Sequence, residues 1–202
     1  MRHKNLKGVL ISLGAVAVVL GAFYFLDESD EPRAVPHEPD PGGQTSSADA
    51  GVSPRERLLH ASAEQIGVTP VRGVWGVIME RGYKKGVATV VALADGTANL
   101  YISSGGSVVG GREYPPTRLA ALKLCEQAAD SLADTVVAHD FPAPTQGRVR
   151  FYVLTPDGVH AAEGDIFPTG HDDGGAALGP LLAAGDAVLD GLKEATSRGL
   201  IR

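Results

Sequence analysis

Residues Gly8–Leu26, GVLISLGAVAVVLGAFYFL, form a run of 19 residues without a charged side chain. Wound as an α-helix, the run would extend about 28 Å, close to the thickness of a bilayer's hydrocarbon core. Arg2, Lys4 and Lys7 precede it, and Asp27, Glu28, Asp30 and Glu31 follow it. The positive-inside rule then puts residues 1–7 in the cytoplasm and everything after Leu26 beyond the membrane. Phe23, Tyr24 and Phe25 fall where the outer headgroups lie. The rival reading is a cleaved secretory signal, with an apolar region of about 7–15 residues and a small-x-small end. This run is longer and ends in aromatics, and Val19-Leu20-Gly21 is its one passable cleavage site. Residues 8–26 therefore read as a retained, single-pass transmembrane signal anchor in a cytoplasmic membrane.

Residues 27–53 change character. They hold seven acids against Arg33, four prolines (Pro32, Pro36, Pro39 and Pro41), and almost no large apolar side chain. Such a stretch cannot bury enough surface to offset the entropy of ordering it, so it reads as a disordered linker. As a flexible chain it reaches on the order of 30 Å. Residues 54–202 remain, enough for one extracytoplasmic domain with its own core.

That domain carries 14 basic and 17 acidic residues. A mildly acidic surface does not favour nucleic acid, which needs clustered Lys and Arg. Arg81, Lys84 and Lys85 are its largest basic group and read as a solvated hairpin turn. The single cysteine, Cys125, excludes an intramolecular disulfide. It shares a helical face with Leu122, Ala129 and Leu132, so it reads as a buried structural thiol.

Ser53, Pro54 and Glu56 signal a helix start, with the helix running to about Ile66 before Gly67 and Pro70. The period then changes. Val71–Glu80, Val87–Leu93 and Ala98–Ser103 are rich in β-branched and aromatic residues, and Asp95-Gly96 is a strong hairpin signal. Thr117 caps an amphipathic helix over Arg118–Ala133, with an apolar stripe of Leu119, Leu122, Cys125, Ala129 and Leu132. A second hairpin joins Val149–Leu154 to Val159–Glu163 through Thr155-Pro156-Asp157-Gly158. Pro180 opens a last helix with Leu181, Gly185, Val188 and Leu192 on one face. The expected fold is α+β in the order α-βββ-α-ββ-α, a five-stranded antiparallel sheet with packed helices. At the level of fold it resembles small roadblock- or profilin-like modules, with a different strand count around the middle helix.

Trp75–Gly111, which contains GVATVVALADGTANLYISSGGSVVGG, and Arg148–Ala162 (RVRFYVLTPDGVHAA) resemble a family of uncharacterised bacterial proteins with no assigned activity. The resemblance covers about two-thirds of the domain and implies an intact domain without assigning a site.

Three stretches invite a chemical reading. Ser103–Gly111, SSGGSVVGG, has glycines at Gly105, Gly106, Gly110 and Gly111. A phosphate-binding loop would need Lys and then Ser or Thr after its last glycine. The two possible registers put Arg112-Glu113 or Gly111-Arg112 there instead. A tightly turned strand exit, or a close approach by a partner backbone, fits those glycines better. His171, Asp172 and Asp173 offer nitrogen and oxygen ligands, and His139, Asp140 and His160 could join them. Neighbouring residues in a chain rarely converge on one metal ion, so a solvated loop is the plainer reading. Ser103 or Ser104 with His139 and Asp140 has the residue types of a hydrolytic triad, but there is no G-x-S-x-G elbow. Asp186 and Asp190, one helical turn apart, fit the solvent side of the last helix. Trp75 is a core residue or, if its side of the sheet is open, an interaction hot spot.

No catalytic or metal-binding residue and no cofactor is assigned. The expected function is a membrane-tethered, non-enzymatic interaction or scaffold module, with a protein partner or a second copy bound. The alternative is an extracytoplasmic hydrolase built on the Ser103–Gly111 and His171–Asp173 loops.

Overall fold

Two tight turns set the register of most of the sheet. Gly86 closes the first hairpin and Asp95-Gly96 the second, so that β1 (Gly76–Tyr83), β2 (Gly86–Leu93) and β3 (Ala98–Ile102) form an antiparallel meander. Gly96 has φ +87°, the left-handed conformation this turn requires, and Asp95 accepts a hydrogen bond from the amide of Thr97 at 2.9 Å. In the computed structural model, which describes residues 52–166 and 175–201, two short helices precede the meander. They are α1 (Pro54–Leu59) and α2 (Ala63–Ile66). One continuous helix to Ile66 was expected. Instead the chain breaks at His60–Ala61, and Ser62 starts α2 with a complete capping box to Gln65.

The sheet has seven strands, all antiparallel, where five were expected. The two additional strands are β4 (Ser107–Val108), inside the glycine-rich stretch, and β5 (Val136–Ala138), after the middle helix. With β6 (Arg148–Thr155) and β7 (Gly158–Asp165), the spatial order is β4-β3-β2-β1-β6-β7-β5. The centre is a long-range seam in which Val77 pairs with Val153 and Met79 with Phe151. The fold class is α+β, with a wider sheet.

Helices α3 (Pro115–Asp130) and α4 (Gly175–Ser197) cover one face. Gly185 lies against Met79 and Phe151, and Gly191 lies against Thr117, so the two helices pack closely on the sheet and on each other. The buried face of α3 is Thr117, Ala121, Leu124, Cys125 and Ala128, with Leu119 61% exposed. The expected stripe through Leu119 was therefore out of phase. The buried face is mostly small, with Leu124 its one large side chain, and Leu119 points away. Pro180 lies inside α4, one turn and more after its start. Leu181, Gly185, Val188 and Leu192 are buried together.

Arg81 is also placed differently from expectation. It is buried on the helical face and ion-paired with the partly exposed Asp186, so Arg81 does not belong to a solvated turn. Trp75, Ile78, Met79, Leu100, Phe151 and Leu154 are among the largest side chains of the core. No helix among the described residues is long and apolar enough to cross a membrane. The expected spanning helix thus has no counterpart in the structure, and Gly8–Leu26 lies outside the described residues, as does the linker up to Gly51.

Candidate functional site

The second face of the sheet is polar at its middle, and the segment that follows β5 crosses over it. Glu80 of β1 is 1% exposed and receives both ends of the Arg55 guanidinium, at 2.6 and 2.9 Å. Thr89 donates to the same carboxylate from β2 at 3.1 Å. A carboxylate this far from water is tolerated only because three donors replace its hydration. The same Arg55 donates to the carbonyl of Phe141 at 2.7 Å and sits 5.5 Å from the centre of the Tyr152 ring. Tyr152 Oη and Arg150 both donate to the carbonyl of Pro142, at 2.6 and 3.0 Å. Phe141 meets Tyr152 and His60 edge-on, at 5.6 and 5.5 Å. Further along, Thr145 and Pro144 press on Gly82 so closely that no side chain would fit there. The 141–145 segment is therefore pinned to the sheet along its whole length.

This pinned segment forms one wall of an open groove of about 580 Å³ at the β5 edge. Its apolar surface comes from Val136, Ala138, Ala161, Ala162 and Leu178. Its polar rim is Asp134, Asp140, Arg150 and Glu163, with Pro142 between them. Arg150 and Glu163 are ion-paired, and Arg148 bridges Glu163 and Asp165. Burial pushes the Glu163 carboxyl up, but the guanidinium groups of Arg150 and Arg148 outweigh it and hold the group below its ordinary value.

β5 is, with β4, one of the two edge strands of the sheet. It pairs with β7 through Val136–Ala161, Val137–His160 and Ala138–Val159. No strand among the described residues pairs with its other side. A turn at Leu132–Asp134 leads into it, and Thr135 Oγ1 bonds both the Leu132 carbonyl and His160 Nδ1, at 2.7 and 3.1 Å. Val136 and Val137 are 69% and 57% exposed, and alternate residues point to opposite sides of the sheet. The strand thus offers unpaired backbone groups with an apolar side chain on each face, the combination that recruits another strand.

The residues singled out from the sequence lie elsewhere. Trp75 is 1% exposed, directly before β1, and its indole N–H has no hydrogen-bond partner. Ser103, Ser104, Gly105 and Gly106 form the exposed turn from β3 to β4, where Ser103 Oγ accepts from the amide of Val87 at 2.8 Å. Gly105 and Gly106 have φ +111° and +97°. Gly110, at φ +88°, donates its amide to Asn99 Oδ1 at 3.2 Å. Gly111 is buried against the carbonyl of Ala98, Leu192 and Thr117, where a side chain would collide. These four glycines serve turn geometry and close packing.

His171, Asp172 and Asp173 lie outside the described residues. Ser103 cannot meet His139 and Asp140, because β3 and β5 are five strand spacings apart, roughly 24 Å. No three His, Cys, Asp or Glu side chains among the described residues are grouped to hold a metal ion. The β5 groove, in contrast, was not singled out in advance. Its one sequence signal is the alternation Asp134-x-Val136-x-Ala138-x-Asp140. Set against family models, curated proteins and solved structures, the chain matches none.

Proposed function

We propose that the chain is a membrane-tethered, non-enzymatic protein-interaction module that binds its partner along β5. The observation that supports the reading is the open β5 edge, with Val136 and Val137 exposed beside a groove whose far wall is fastened by Arg55, Arg150 and Tyr152. A fastened wall lowers the ordering cost of binding, so a small groove can hold an extended segment. The placement beyond a cytoplasmic membrane rests on the apolar run 8–26 and its flanking charges.

The test is site-specific photo-crosslinking of the full chain in its native membrane. A photoreactive side chain at position 137 should give discrete adducts with another protein, and one at Leu119, exposed on α3, should not. Adducts from Leu119 alone, or none from either site, would sink the reading.

A further inference from the structure

The charge at the groove is unevenly compensated. Arg150, Arg148, Glu163 and Asp165 neutralise one another. Asp134 and Asp140 are exposed, and no cation among the described residues pairs with either. Asp134 ends the turn before β5 and Asp140 follows the strand, and both line the groove together with Val136 and Ala138, so two carboxylates flank the two apolar side chains.

This bracketing bears on what can pair with β5. In an antiparallel pair of two copies centred on Val137, Val136 meets Ala138 and all the apolar residues of the strand match. The same register carries Asp134, just before β5 in each copy, towards Asp140, just after β5 in the other, so like charges approach at both ends. Shifting the register by one residue separates both pairs of like charges, but only by setting Val136 against His139 or Ala138 against Thr135. Like charges across a strand pair are destabilising, and opposite charges stabilise it. A second copy is therefore disfavoured, and a cationic strand is favoured.

Resting on the interaction reading above, we infer that the partner of β5 is an extended segment of another protein, with apolar residues at its centre and Lys or Arg at both ends. It adds to the sheet as an eighth strand. Its backbone takes the open hydrogen-bonding edge, its apolar side chains lie over Val136 and Ala138, and its two cations meet Asp134 and Asp140.

The probes are two fluorescein-labelled peptides, Lys-Thr-Val-Thr-Val-Thr-Lys and Glu-Thr-Val-Thr-Val-Thr-Glu, titrated against the full chain in a neutral detergent and followed by anisotropy. The lysine peptide should bind about tenfold more tightly. Salt should shrink that advantage, and N-methylation of its central amides should abolish binding. The D134K/D140K chain should invert the preference while Trp75 emission reports an unchanged core. The single D140K chain, which puts opposite charges at both ends of the self-pair, should gain a dimer that the parent lacks.

Equal binding of the two peptides, a preference unmoved by charge reversal, or no binding of either overturns the inference. So does a parent chain that already dimerises through β5. The crosslinking experiment separates these failures from failure of the broader reading. Adducts at position 137 would persist if only the charge assignment were wrong, and would vanish if β5 bound no protein.

Discussion

Replacing Arg55 by alanine tests the framework behind the groove. Glu80 is 1% exposed, and two of the three hydrogen bonds to its carboxylate come from Arg55. Removing one partner of a buried ion pair typically costs 3–5 kcal/mol, because the surviving charge is left without its counter-ion. The side chain of Arg55 is 22% exposed, so water can reach the vacated space, and we expect the lower end, about 3 kcal/mol. An exposed pair would lose less than about 1 kcal/mol, so the two cases are well separated. Urea unfolding followed by the emission of Trp75, the only tryptophan, reads the difference directly. With an m-value of about 2 kcal/mol per molar, the midpoint should fall by roughly 1.5 M at constant m. The R55L/E80L double variant should recover more than half of that loss, since it removes the buried charge along with its partner. R55A should also weaken binding at β5 under fully folded conditions, because the carbonyl of Phe141 loses its clamp beside Pro142. A loss below about 1 kcal/mol for R55A, or a double variant no more stable than the single, would refute the reasoning.

Two further outcomes follow from titrating groups. The Cys125 thiol is fully buried, and burial, with smaller contributions from Asp95 and Glu126, pushes its pKa up to about 12. A maleimide should therefore leave the native chain unlabelled at neutral pH and modify it once urea unfolds it, whereas rapid native labelling would contradict the placement of α3. The Glu163 carboxyl is held below its ordinary value of 4.5 in the folded state. Its contribution is thus fully present above that value and is lost as pH falls through the lower folded value. Because Glu163 is partly exposed, the effect should stay below about 1 kcal/mol, visible as a steeper acid limb than in E163Q. Superimposable acid limbs would remove Glu163 from the pairing.

The elements legible in the sequence are those that carry their own punctuation. β1 to β3 and the β6–β7 hairpin announce themselves through Asp95-Gly96, Asp157-Gly158 and runs of β-branched residues. β4 and β5 have two and three residues, too few to show an alternation, and β5 pairs with a strand more than twenty residues further on. The phase of α3 was misread because its buried side sets Leu124 among small or polar residues, Thr117 and Ala121 included, while Leu119 faces outward. Close helix packing selects for size there, so hydrophobicity does not mark the inner face. The groove was hidden for a related reason. Val136, Arg150, Ala161, Pro142 and Leu178 come from β5, β6, β7, the crossing segment and α4, and only the finished sheet brings them together. Ser103 and the glycines drew notice as a local cluster, yet their roles are a hydrogen bond to Val87 and tight turns.

The seam at the centre of the sheet has a kinetic consequence. β1 closes a hairpin with β2 almost at once, yet its other side waits for β6, so Val77 meets Val153 only when most of the chain has emerged. Until then the first meander displays a bare strand rich in apolar residues at what will become the middle of the molecule. Long-range pairing of this kind slows folding and lengthens the time during which an unfinished sheet can capture the wrong strand. The nascent chain is thus most vulnerable to aggregation after β3 is made and before β6 arrives, and a chaperone would have to shield it during that interval.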